Sequence, residues 1–94
     1  MSNLPSFDTY GSYSSSNDGA HALVFNLPQA RVWFSYDTPV AFVDSDGEKF
    51  VHENVWSNTT GKHLNAIDGG GSAKKSRVPS DEFERQLAAA FKAA

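Results

Sequence analysis

The polar and apolar positions of this chain change period along its length. "HALVFNL", over 21–27, alternates and sets Leu23, Phe25 and Leu27 on one side. "RVWFSY", over 31–36, alternates more cleanly: Val32, Phe34 and Tyr36 share one face, and Arg31, Trp33 and Ser35 share the other. "VAFV", over 40–43, is apolar on both faces, and β-character resumes over 49–55. Pro28-Gln29-Ala30, Asp37-Thr38-Pro39 and Asp44-Ser45-Asp46-Gly47 are the breaks between these runs. Connections this short cannot carry a parallel crossover, so the pattern predicts a small antiparallel meander of three or four strands.

The period then becomes helical. Pro79 stops what precedes it, Ser80 can cap, and Asp81, Glu82 and Glu84 suit the positive end of a helix. Phe83, Leu87, Ala90 and Phe91 recur on one face, which predicts a helix over 80–93 packed on the sheet. Asp81 and Arg85 are spaced for an i,i+4 ion pair. A shorter helix is predicted near 58–67, capped by Ser57 or Asn58, with Leu64 and Ile67 toward the core and Asp68-Gly69-Gly70 ending it. Gly61 costs that helix about 1 kcal/mol relative to alanine. Such a glycine either only starts a kinked turn or permits close approach to its backbone, by a ligand or by another part of the chain. The fold class is therefore α+β. By composition residues 5–20 read as loop or tail and 1–8 as flexible, yet Phe7, Tyr10 and Tyr13 are more aromatic than a solvated tail. "GGGSAKKSR", 69–77, reads as a mobile basic loop.

Composition narrows the function classes. Ninety-four residues make one domain, 1–94. The absence of cysteine removes disulfides, thiolate metal sites and cysteine nucleophiles. No apolar run approaches the roughly 20 residues of a membrane helix, and the first residues show no signal-peptide pattern, so no membrane partner is expected. The net charge of −3 is unevenly spread: residues 57–79 carry Lys62, Lys74, Lys75 and Arg77 against Asp68 alone. A mildly acidic body with one basic segment suits a single anion or phosphate track better than general nucleic-acid binding.

Known motifs fail on inspection. Before Gly61-Lys62, Trp56 stands where a Walker loop needs its first glycine, and His63 follows where Ser or Thr belongs. Asp44-Ser45-Asp46-Gly47 places its glycine too early for a calcium loop, and Val55 stands at the position of the bidentate glutamate. No two histidines lie at metal spacing, so neither metal nor cofactor is expected. Without a strained nucleophile turn such as G-x-S-x-G, an enzyme is the less favoured reading.

The blocks "YGSYSSSNDGAHAL", "FSYDTPVAF", "NVWSNTTGKHLNAIDGG" and "RVPSDEFERQL", in this order from Tyr10 to Leu87, resemble a family of short proteins encoded by bacteriophages and by bacterial prophages. The family carries no assigned activity. The resemblance implies a source, a bacterial cytoplasm as location, and inclusion of residues 10–20 in the domain. The chain departs from the family pattern at Asp18, where a tyrosine is expected, and at Ala66, where a tryptophan is expected.

The polar residues that break periodicity fall in 13–21 and 54–65. The candidate binding residues are Tyr13, His21, Thr59, Thr60, Lys62, His63, Lys74, Lys75 and Arg77. One reading is that they satisfy each other's hydrogen bonds and pin an irregular N-terminus. The other is a recognition surface in which an exposed helix N-terminus, Lys62 and His63 receive an acidic group. The expected function is a phage-type accessory protein acting as a protein-interaction module on a host or phage partner. The alternative is a nucleic-acid or phosphate binder using the basic segment 57–79 with Trp33 or Trp56.

Overall fold

The computed structural model describes residues 5–11, 20–56 and 58–92. Five strands, β1 (Ser6–Thr9), β2 (Ala22–Asn26), β3 (Ala30–Ser35), β4 (Thr38–Asp44) and β5 (Lys49–Val51), form one sheet in sequence order. Every neighbouring pair is antiparallel. Helix α1 (Asn58–Asp68) follows, then a 3-10 helix (Gly71–Ser76) and helix α2 (Ser80–Lys92). The α+β meander and both helices are as the pattern predicts.

The strand beyond the expected three or four is β1. Its sequence, Ser-Phe-Asp-Thr, carries little β-propensity, and composition alone places it in a loop. Pairing made it a strand: Phe7 sits opposite Phe25 and Thr9 opposite Leu23, so β2 supplies the ladder that local preference lacks. Tyr10 continues the pairing by donating its N–H to Ala22 O at 3.1 Å. Two breaks also move. The β3–β4 reversal lies at Tyr36-Asp37, and Thr38 and Pro39 belong to β4. Pro39 has no N–H for the ladder, and the register shifts beside it: Trp33 faces Ala41 while Phe34 faces Pro39, leaving Val40 as the extra residue of a bulge. The last strand is shorter than 49–55, because beyond Val51 the chain turns to bridge His52 with Val78.

Alternation sorts the side chains onto two faces, and each face has its own helix. Val24, Trp33, Ala41 and Val51 pair across four strands and form one cluster with Leu64 and Ile67 of α1. On the other face Val32 and Phe42 pack with Phe83, and Phe34, Phe50, Leu87 and Ala90 close around them. The two helices thus lie on opposite sides of the sheet. Phe91, placed by sequence on the buried stripe of α2, is 39% exposed, so the stripe ends a turn earlier. Arg85 pairs with Glu82 at 2.6 Å, not with Asp81. Part of the segment expected as a loop, 69–77, winds into the 3-10 helix. No helix among the described residues is long and apolar enough to cross a membrane.

Candidate functional site

Helix α1 presents Thr60, His63 and Leu64 to the sheet, and all three are buried. Leu64 meets hydrocarbon; the other two meet Ser35, the last residue of β3. Ser35 Oγ lies 2.6 Å from His63 Nδ1 and 3.0 Å from Thr60 Oγ1. Three polar side chains are thereby paired where water does not reach, as burial of such groups requires. The rings of Tyr10 and Tyr36 each lie 6.1 Å from that of His63. Tyr36 in turn stacks on His21 at 4.3 Å.

Tyr36 is held in an unusual conformation. It is the first residue of a two-residue hairpin loop and has φ 59°, a region that L-side chains adopt at a cost and that glycine favours at this position. The residue is 42% exposed. It forms one wall of a cleft of about 380 Å³ whose other lining residues are Ser35, Thr38, Val40, Trp56 and Thr60. Trp56 is 41% exposed and is backed by the buried His52, with ring centroids 4.5 Å apart. His52 is fixed by contacts of Nδ1 with Glu53 O and Nε2 with Ser80 Oγ, which spends the Ser80 hydroxyl on a tertiary contact rather than a simple cap. The cleft therefore has two aromatic walls, each supported by a histidine, and a floor of two hydroxyls.

A different surface lies on the outer side of α1. Asn54, Asn58, Gly61, Lys62, Asn65 and Lys74 border a groove, with Glu53 and Arg77 also on its lining. Gly61 finds its explanation here. A Cβ at this position would stand 3.0 Å from Asn54 Nδ2, so the close approach is made by another part of the chain. Arg77 is not a loose cation. Its Nε and Nη2 donate to Asp68 at 2.7 and 2.9 Å, Nη2 also reaches Asn65 Oδ1, and both members of the ion pair are nearly buried. Burial pushes the Asp68 carboxyl up, but hydrogen bonds from Arg77 and the Gly70 N–H, with the charges of Arg77 and Lys49, hold it below its ordinary value.

The predicted site residues therefore divide. His21, Thr60 and His63 gather around Tyr36, while Lys62, Lys74 and Arg77 gather across α1. The expected joint exposure of Lys62 and His63 is not met: Lys62 is exposed, whereas His63 is fully buried one position on, because consecutive helical residues point about 100° apart. Thr59 is half-buried and Lys75 exposed. Tyr13 lies outside the described residues. Sequence reasoning passed over Ser35 and Tyr36, and took Trp56 only as an aromatic of the nucleic-acid alternative. The available signal was a serine and a tyrosine ending the best-patterned strand, where side chains turn from core to rim.

The sheet edges differ too. Beyond β5, Val78 N–H donates to Val51 O and Glu53 N–H to Val78 O, closing that edge with backbone. Beyond β1 no strand pairs among the described residues. All four β1 residues are exposed, with Phe7 at 66%. The Tyr10–Ala22 bond fixes the alternation, so the N–H groups of Phe7 and Thr9 point outward. Thr9 N–H meets the Asp8 carboxylate at 2.8 Å. Phe7 stacks on Phe25 at 5.4 Å, and Phe25 meets Phe34 edge-on at 5.2 Å, so an aromatic row runs out to the open edge.

Residues 5–85 match the model of a family of unknown function, DUF8033, and the chain belongs to that family. No curated protein and no solved structure matches it.

Proposed function

We propose that this DUF8033 member is a small accessory protein of phage type. In this reading it works as an interaction module in the bacterial cytoplasm, adding the β1 edge to a strand of a host or phage protein. The observation that carries the reading is the edge of β1, which pairs with no further strand among the described residues and bears the exposed Phe7. Unpaired backbone N–H and C=O groups beside an exposed phenylalanine are a template for another strand, and soluble proteins normally cover or charge such an edge. The one charge present, Asp8, occupies the Thr9 N–H and keeps the edge polar until a partner strand replaces it. The phage assignment rests on the order of the sequence blocks described above.

The test is capture of a partner from nuclease-treated bacterial lysate by the full chain, by Phe7→Asp and by Thr9→Pro. Both substitutions leave the inner β1–β2 ladder intact, since the Thr9 N–H faces outward. The expected outcome is a specific partner retained by the unmodified chain and lost by both variants, with unchanged circular dichroism. Equal capture by all three proteins removes the β1 edge as the interface.

A further inference from the structure

The cleft between Tyr36 and Trp56 is independent of the strand edge, and nothing in the interaction reading uses it. Three features define what it can hold. First, its walls are aromatic and pre-oriented: Tyr36 stacks on His21, and Trp56 packs on the buried His52. Rings fixed from behind offer flat apolar faces to a flat partner without ordering cost. Second, its floor hydroxyls, Ser35 and Thr60, are already paired with each other, and Ser35 with His63, so what they offer a guest is lone-pair acceptance, matched by an N–H on the guest's edge. Third, none of its described lining residues is charged, which suits a neutral group. The volume of about 380 Å³ is that of a small-molecule site.

Tyr36 adds a separate argument. A hairpin position with φ 59° is one where glycine would be more stable, and the tyrosine there is a cost to the fold. The residue, 42% exposed, does not repay that cost by full burial. A side chain kept in a strained backbone conformation at the rim of a cleft is a side chain in use.

The anionic part of the guest is indicated by what lies beyond the rim. The first turn of α1 separates the cleft, lined by Thr60, from the groove lined by Asn58, Gly61, Lys62 and Lys74. Of the other charges there, Arg77 is matched by Asp68 and Glu53 opposes the lysines, leaving a small positive excess. A neutral planar ring with a hydrogen-bonding edge, joined to a single anion, is a nucleoside phosphate. We propose that the Tyr36–Trp56 cleft binds the base of a nucleoside phosphate, with the phosphate directed over the first turn of α1 toward Lys62 and Lys74. A free nucleotide and a single-stranded nucleic acid share this chemistry.

The experiment follows the Trp56 indole and Tyr36 ring resonances of the isotope-labelled full chain. The titrants are adenosine monophosphate, uridine monophosphate, adenosine, inorganic phosphate and a short oligothymidylate. Saturable shifts at both rings with the monophosphates support the proposal. Trp56→Ala should weaken binding about tenfold, the scale of a lost base–aromatic stack. Tyr36→Gly should weaken it too while leaving the melting temperature undiminished, because glycine suits the backbone there; this keeps the test clear of any folding defect in Trp56→Ala. Lys62→Ala should weaken the monophosphates and leave adenosine unchanged. Saturation by oligothymidylate but not by monophosphates also supports the site and assigns its guest to a strand. Shifts confined to the Lys62 groove with phosphate, or unmoved Trp56 and Tyr36 resonances with every base at millimolar concentration, overturn it.

Discussion

The two faces of the sheet carry helices of similar length, 11 residues in α1 and 13 in α2, held by different physics. On the α2 side attachment is hydrocarbon and aromatic: Phe83 is the one fully buried residue of the helix, set edge-on to Phe42 at 5.5 Å. On the α1 side Leu64 supplies the apolar anchor, and directional bonds do the rest. Ser35 ties Thr60 and His63, Lys49 Nζ donates to Ile67 O at 2.8 Å at the helix end, and Arg77 clamps Asp68. Apolar burial supplies stability but little positional information, whereas hydrogen bonds and ion pairs fix where and how a helix sits. The cleft and the groove both border the helix that is fixed in this way. Trp33 shows the same contrast in one residue: its ring lies in the α1-side core, with Arg31 and Lys49 over it at 5.0 and 5.3 Å.

The largest expected effect lies on the apolar side. Phe83→Ala removes the only fully buried side chain of α2 and should cost about 3–5 kcal/mol, enough to unfold much of a small domain. Leu64→Ala on the other face should cost less, because the polar contacts of α1 remain. Urea denaturation compares the two. A Phe83→Ala chain as stable as Leu64→Ala would break the comparison.

Arg77→Ala tests the directional side. Removing one partner of a buried ion pair leaves the Asp68 carboxylate with fewer partners, and at neutral pH the cost should be about 3 kcal/mol. The pH dependence has a definite sign. The Asp68 carboxyl titrates lower in the folded chain than in the unfolded one, so its contribution is present above the ordinary aspartate range near pH 4 and is lost as pH falls through the folded value. The stability gap between the unmodified chain and Arg77→Ala should therefore narrow on acidification below about pH 4. A gap that stays constant to low pH would show that the clamp acts through packing alone.

Ser35→Ala probes the polar floor. It leaves buried His63 and Thr60 each short of a hydrogen bond, at a cost of about 1–2 kcal/mol. Thermal melting measures it, and a stabilised variant would mean that the hydroxyl is not tied to His63.

The fold was largely readable because its signals are periodic. The alternation over 31–36 placed Val32 and Phe34 opposite Trp33 and Ser35, and the register bears this out. The stripe Phe83, Leu87 and Ala90 likewise gave α2 its buried face. β1 was not readable, since a strand made by pairing leaves no local signature in Ser-Phe-Asp-Thr. The candidate surface was half readable. The residue types in 54–65 mark polar work, but which side of α1 each occupies depends on the helix phase. That phase puts His63 inside and Lys62 outside. Arg77 looked like a free cation in a basic run because its partner, Asp68, lies across a glycine turn.

Gly61→Ala should have the smallest effect and the most pointed meaning. Two opposed terms meet at this position. Alanine favours the helix by about 1 kcal/mol over glycine, while its Cβ would stand 3.0 Å from Asn54 Nδ2, closer than side chains normally approach. The opposing atom is the end of a side chain rather than backbone, so it can move, and the sum should fall within about 1 kcal/mol of zero. The movement is the informative quantity. Asn54 Oδ1 accepts the backbone N–H of Trp56 at 3.0 Å and so shapes the turn that carries the Trp56 wall of the cleft. Displacing Asn54 should therefore shift the Trp56 indole resonance while the melting temperature stays nearly unchanged. A gain in stability with an unmoved Trp56 signal would mean that Asn54 gives way freely and that the glycine is not needed to hold the 54–56 turn against α1.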